Sequence, residues 1–182
     1  MKVSIRITKP FKIGSIAIFW RSFFMIATTQ TLEGVTSKCL DEPPELHLHY
    51  IFMDLDSSSL AEAAQKLSIL QYEFGLGDIF ICSDKEGSYR AFCWSKRPWT
   101  TYQHILIHAL EAGLLDFGFW VWTTRRGAAT LRISDKVGRP RQECVAFLEG
   151  YEPTSLPHKV IHVRYSTGTE KKGCVIELGR IS

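Results

Sequence analysis

No stretch of this chain reaches the roughly 20 consecutive apolar residues that a membrane-spanning helix needs. The longest candidates, Ile13–Trp20 and Phe23–Ala27, are separated by Arg21. Lys2, Arg6, Lys9 and Lys12 precede them, so the N-terminus superficially resembles a secretory leader. The first apolar run is short, and it reads instead as a core segment of a soluble protein, with no membrane partner expected. Cysteine is sparse and badly placed for cross-linking. The five cysteines (Cys39, Cys82, Cys93, Cys144, Cys174) are odd in number and never form a Cys-x-x-Cys pair. That pattern argues against a disulfide framework and against a cysteine-rich zinc module. Most of them lie in apolar runs, where buried thiols and a cytoplasmic setting are expected. Internal repeats and low-complexity tracts are also missing, and the composition does not indicate disorder.

Net charge is low as well, formally +3, but it is unevenly distributed. Between Lys85 and Arg141 there are ten basic residues against four acidic ones, leaving the remainder of the chain acidic on balance. A basic stripe of this kind suits phosphate. With 182 residues, 45% hydrophobic and 23% charged, the chain is expected to form one domain with a sizeable core.

Local patterns place the elements. Val3–Ile7 alternates as an edge strand would, and Asp41-Glu42-Pro43-Pro44 marks a loop. Leu46–Leu55 has the length and apolar content of a central strand. Ser59-Leu60-Ala61-Glu62 has the form of a capping box, and apolar residues recur at helical spacing to Phe74, where Gly75-Leu76-Gly77 stops the helix. Asp78–Ser83 and Ser88–Ser95 flank a turn of good hairpin chemistry. A second helix opens near Pro98 and runs to about Leu115, followed by a short segment over Asp116–Arg125. Ala128–Ser134, Cys144–Leu148, Val160–Tyr165 and Cys174–Leu178 read as strands, the last two as a hairpin. The order strand–helix–strand–strand–helix–strand predicts an α+β fold: an RRM- or palm-like antiparallel sheet with helices on one face, extended by the C-terminal strands.

Two carboxylates, Asp54 and Asp56, close the central strand. Residues i and i+2 of a strand share a face, so the two would converge, repel, and favour a hard divalent cation. The competing role for Asp56 is to cap the next helix. A second pair, His47 and His49, lies upstream with opposite parity, so the two pairs face opposite sides of an unbulged strand. His104 with His108, and His158 with His162, lack the acidic or cysteine partners of zinc sites and read as structural.

Residues 46–140 resemble the core of the archaeo-eukaryotic primase, or primase-polymerase, superfamily. The resemblance rests on Asp54-Leu55-Asp56 after a hydrophobic strand, on Ser88-Tyr89-Arg90 where that family has Ser-x-His, on Asp116 at the third acidic position, and on Leu131–Lys136 as the basic segment that follows. Arg90 in place of His is the departure. The resemblance implies metal-dependent nucleotidyl transfer on a single-stranded DNA or RNA template, in a compact protein of a virus or mobile element. Asp54, Asp56 and Asp116 would hold Mg²⁺ or Mn²⁺. Ser88, Arg90, Arg132 and Lys136 would meet the nucleoside triphosphate. Arg125, Arg126, Arg139 and Arg141 would follow the template backbone. Trp94, Trp99, Trp120 and Trp122 could stack bases, with core packing as the ordinary alternative for at least half of them. A helicase or another replication protein would be the natural partner. Two alternatives remain open. His47-Leu48-His49 with Tyr102 resembles part of the HUH nicking endonucleases, although the Lys that accompanies their Tyr is missing near Tyr102. A non-catalytic primase-fold protein that binds single-stranded nucleic acid is the other.

Overall fold

A computed structural model of the chain describes residues 11–13, 16–18, 31–153, 156–166 and 172–177, with side chains over 32–153 and 156–164. In chain order the elements are β1 (Phe11–Ile13), β2 (Ile16–Ile18), β3 (Thr31–Thr36), β4 (Leu48–Leu55), α1 (Leu60–Phe74), β5 (Ile79–Lys85), β6 (Ser88–Pro98), α2 (Trp99–Glu111), α3 (Phe117–Arg126), β7 (Thr130–Arg132), β8 (Glu143–Leu148), β9 (Lys159–Ser166) and β10 (Lys172–Glu177). The edge strand expected at residues 3–7 lies outside the described residues. The fold is α+β, as the pattern predicted.

α1 begins where its capping box said it would. The Ser59 hydroxyl accepts from the Glu62 amide at 3.2 Å, while the Glu62 carboxylate reaches back to the Ser58 amide at 3.1 Å. The helix ends at Gly75, whose φ of +56° lies in the left-handed region that glycine tolerates best. β5 and β6 form the expected hairpin, and β9 and β10 pair antiparallel.

The site sheet has the strand order β4-β6-β5-β8, all antiparallel. α1 and α2 contribute buried Ala63, Leu67 and Leu70, and Tyr102, Ile105, Leu106 and Ala109. These join Ile51, Met53, Leu55, Ala91, Ile79 and Ile81 in one core cluster. The even-numbered residues of the central strands face the other way and form an aromatic layer: Tyr50, Phe52, Phe92 and Trp94, with ring centroids 5.2–6.4 Å apart.

The strand after α2 departs from the simple split βαβ expectation. β7 joins a second sheet, β10-β9-β3-β7, and β8 supplies the fourth strand of the site sheet at the far edge, beside β5. The edge of β4 is instead flanked by two short backbone stretches. Ser37 and Cys39 bond to Tyr50 and Leu48 at one end (Tyr50 N–H to Ser37 O, 2.7 Å; Cys39 N–H to Leu48 O, 3.0 Å). Leu114–Asp116 does so at the other, where Asp56 N–H donates to Leu114 O at 2.8 Å and Asp116 N–H to Asp54 O at 3.0 Å. α2 is shorter than expected because the chain turns at Gly113, φ +60°, to make that second contact.

Candidate functional site

Asp54, Arg90 and Asp116 come together at one end of the site sheet. Asp54 and Arg90 are register partners on β4 and β6, and Arg90 Nε donates to Asp54 Oδ1 at 3.1 Å. The Arg90 side chain is 9% exposed and that of Asp54 is 38% exposed, so the pair sits at the rim of the core rather than inside it. Asp116 is brought alongside by main-chain pairing with β4. Burial pushes the Asp54 carboxyl above its usual range. Arg90 opposes that rise, while the negative charges of Asp116 and Asp84 add to it.

Asp84 and Arg132 form a second pair close by. Arg132 reaches from β7 to Asp84 with one guanidinium nitrogen and to the Ser134 carbonyl with another. The Asp84 side chain is fully buried, and its Oδ1 has no hydrogen-bond partner. Sequence reasoning missed Asp84 because it lies in what reads as hairpin-turn chemistry. In fact β5 continues to Lys85, and the register shifts between Ser83 and Lys85. Phe80–Cys82–Asp84 alternation on one strand was the signal available. One nitrogen of Arg90, Nη1, is also buried without a partner.

The remaining expected residues divide. Ser88 and Arg139 meet, with Arg139 Nη1 donating to the Ser88 hydroxyl at 3.4 Å. Lys136 and Arg139 exchange main-chain hydrogen bonds at 2.8 and 2.7 Å in a tight turn, and Lys136 and Arg141 are exposed. Arg132, expected to face a triphosphate, is instead held by Asp84. Arg125 and Arg126 lie at the exposed end of α3, with their guanidinium carbons 5.4 and 4.8 Å from the Trp122 ring centre. Trp122 is exposed, whereas Trp94, Trp99 and Trp120 pack against the core. Asp116 has a structural task as well: its Oδ1 accepts from the Phe119 amide at 2.6 Å and caps α3. Asp56 lies one residue past β4 and is exposed; the cap of α1 is Ser59, not Asp56.

The histidine pair does not form. Pro44–Leu46 is a 3₁₀ turn, and His47 leaves it with φ +45°, outside β4 and exposed. His49 is buried against Trp99 and Tyr102, with Nδ1 3.0 Å from the Ser37 hydroxyl. Burial, reinforced by the Lys38 and His47 charges, lowers its pKa to about 4. Tyr102 is fully buried. Its hydroxyl donates to Phe52 O at 2.5 Å and accepts from the Phe52 amide at 3.2 Å, and burial raises its pKa far above the usual phenol value. This geometry gives a nicking tyrosine neither access nor a nearby metal pair. The thiols also differ from expectation: of the described cysteines only Cys93 is buried, and Cys144 is exposed.

Among the described residues, no three His, Cys, Asp or Glu side chains are spaced to hold a metal ion by themselves. Asp54 and Asp116 each have one oxygen engaged, by Arg90 and by the Phe119 amide. The second oxygens are the donors left for a hard cation. Mg²⁺ commonly takes one or two carboxylates and completes its shell with water and substrate phosphates. Two carboxylates alone would leave most of such a shell to other donors. Among the described residues no helix is long and apolar enough to cross a membrane. Searches against protein-family models, curated proteins and solved structures find no match to this chain.

Proposed function

We propose that this chain is a primase-polymerase-like nucleotidyl-transfer domain acting on single-stranded template. The observation that carries the reading is the convergence of Asp54, Arg90 and Asp116. They come from three elements far apart in sequence and meet at one end of the site sheet through strand register and main-chain pairing. In this reading Asp54 and Asp116 would hold Mg²⁺ or Mn²⁺ together with the incoming triphosphate. The ion would stabilise the attacking and leaving oxygens of phosphoryl transfer. Arg90, fixed beside Asp54, places a permanent positive charge where phosphate oxygens would lie, and a guanidinium suits them bidentately. Arg139 beside Ser88, with Lys136 and Arg141 on the neighbouring turn, extends the positive surface for the template backbone.

A second reading, a single-stranded nucleic-acid binder without chemistry, is favoured by one observation. Both guanidiniums expected to meet the triphosphate are already paired with carboxylates, Arg90 with Asp54 and Arg132 with Asp84. Primer extension separates the two. The protein is incubated with a primed single-stranded template, nucleotides and Mn²⁺, beside Asp54→Asn and Asp116→Asn. Extension by the wild type that both variants lose supports the first reading. Absence of extension, with salt-dependent binding of the same oligonucleotide, leaves only the second. Binding that ignores salt overturns both.

A further inference from the structure

Cys82 and Cys144 are direct register partners on neighbouring antiparallel strands, β5 and β8. Register partners on regular antiparallel strands have Cα atoms about 4.5 or 5.5 Å apart, and this pair borders a bulge, since the register shifts between Ile81 and Cys82 as Val145 is skipped. Both spacings fall within the roughly 4.4–6.8 Å that a disulfide spans. The Cys144 thiol donates to Ala146 O of its own strand at 3.4 Å and is an electrostatic neighbour of the Cys82 thiol. They also differ in access: Cys144 is exposed on the edge strand, and Cys82 is half-buried one strand further in. Cys82 lies opposite Arg90 on its other side, so a single row crosses the sheet as Asp54, Arg90, Cys82, Cys144.

We propose that Cys82 and Cys144 form a redox-active dithiol that reacts with low-molecular-weight disulfides and closes to a cross-strand disulfide. The chemistry balances in two exchanges. Cys144, the accessible thiol, loses its proton and attacks one sulfur of the small disulfide; one small thiol leaves and a mixed disulfide forms on Cys144. Cys82 then loses its proton and attacks the Cys144 sulfur, expelling the second small thiol. The two protein thiols are oxidised by two electrons, and the small disulfide is reduced to two thiols.

The asymmetry of the pair sets the order of events. Burial raises the Cys82 pKa to about 11, and the adjoining Cys144 thiol adds to the rise while Arg90 opposes it. Cys82 therefore rests as a protonated thiol, poorly placed for first attack but adjacent once Cys144 carries the leaving group. Among the described cysteines, Cys39 and Cys93 have no cysteine as a register partner: Cys39 lies outside this sheet, and Cys93 is buried on β6, 3.3 Å from the Ser95 hydroxyl. The inference is independent of the nucleotidyl-transfer reading.

The test uses the full chain and glutathione disulfide, read by intact mass and by non-reducing peptide mapping. The wild type is expected to lose two of its five thiols, without a retained glutathione, through one Cys82–Cys144 link. Cys82→Ser is expected to stop at a stable single adduct on Cys144. Cys144→Ser is expected to give neither link nor adduct under the same conditions. A link that involves Cys39, Cys93 or Cys174 overturns the proposal. So does a wild type that stops at the adduct, or one that does not react. The wild-type arm decides the matter even if a variant folds poorly.

Discussion

Replacing Arg90 by Met tests the electrostatics of the site with little change of side-chain length. The change leaves Asp54 without its cation, still within reach of the charges on Asp84 and Asp116. Breaking a fully buried ion pair by removing one partner costs about 3–5 kcal/mol. Exposed pairs are worth about 0–1 kcal/mol. The Asp54 side chain, 38% exposed, can recover part of its hydration, which places the expected loss near pH 7 at about 1–2 kcal/mol. With a urea m-value of about 2 kcal/mol/M, the unfolding midpoint falls by about 0.5–1 M. The sign of the pH dependence follows from the raised Asp54 pKa. The folded state binds this proton more tightly than the unfolded chain, so stability falls as pH rises from the ordinary carboxylate value through the folded one. Arg90 limits that fall, and its removal steepens it. Urea unfolding followed by tryptophan fluorescence should therefore show a larger deficit for Arg90→Met at pH 7 than well below the ordinary carboxylate value, where the carboxyl is protonated in both states. An equal deficit at both pH values would refute the reasoning and assign Arg90 to packing alone. No deficit at either would show that the pair contributes nothing.

Other outcomes follow from the same structure. Asp54→Asn should flatten the pH dependence of stability yet cost at least as much as Arg90→Met at pH 7, because it leaves the more deeply buried Arg90 guanidinium without a counter-charge; parallel urea titrations of the two variants check this. Tyr102→Phe removes both hydrogen bonds to the Phe52 backbone and should lower stability by about 1–2 kcal/mol in thermal or urea melts. The same variant should leave primer extension unaltered, and the wild type should form no covalent DNA adduct on denaturing gels. Gly34→Ala would place a Cβ 2.6 Å from Leu131 O, where β3 pairs with β7. Backbone cannot yield as a side-chain tip can, so a loss of about 1–3 kcal/mol is expected in the same melts.

Much of the architecture was legible because it is encoded locally. The capping box before α1, Gly75 after it, and the β5–β6 and β9–β10 hairpins each depend on a few adjacent residues. The misreadings concern pairing at a distance. Nothing near Ala128–Ser134 says that β7 belongs to a second sheet, and nothing near Cys144 says that β8 enters beside β5. His47 and His49 shared a face only if the strand began before His47, and Pro43-Pro44 started a 3₁₀ turn instead. Motif order anticipated that Asp54, Arg90 and Asp116 would lie near one another, but not that Asp56 would fall beyond β4, exposed. Asp84 was hidden in a turn-like tetrapeptide, and its pairing with Arg132 is a contact between sheets that no local pattern reveals.

The main-chain pairing of Leu114–Asp116 with the end of β4 has a consequence for how such a site can change over time. The bonds that bring Asp116 to Asp54 run from amide to carbonyl, and they depend on no side chain. The frame is thus separable from the chemistry mounted on it. Exchanging either acid leaves these main-chain bonds in place, although the Asp116 side chain also caps α3 and that of Asp54 pairs with Arg90. The side chains at this end of the sheet can therefore vary while the main-chain frame that presents them persists.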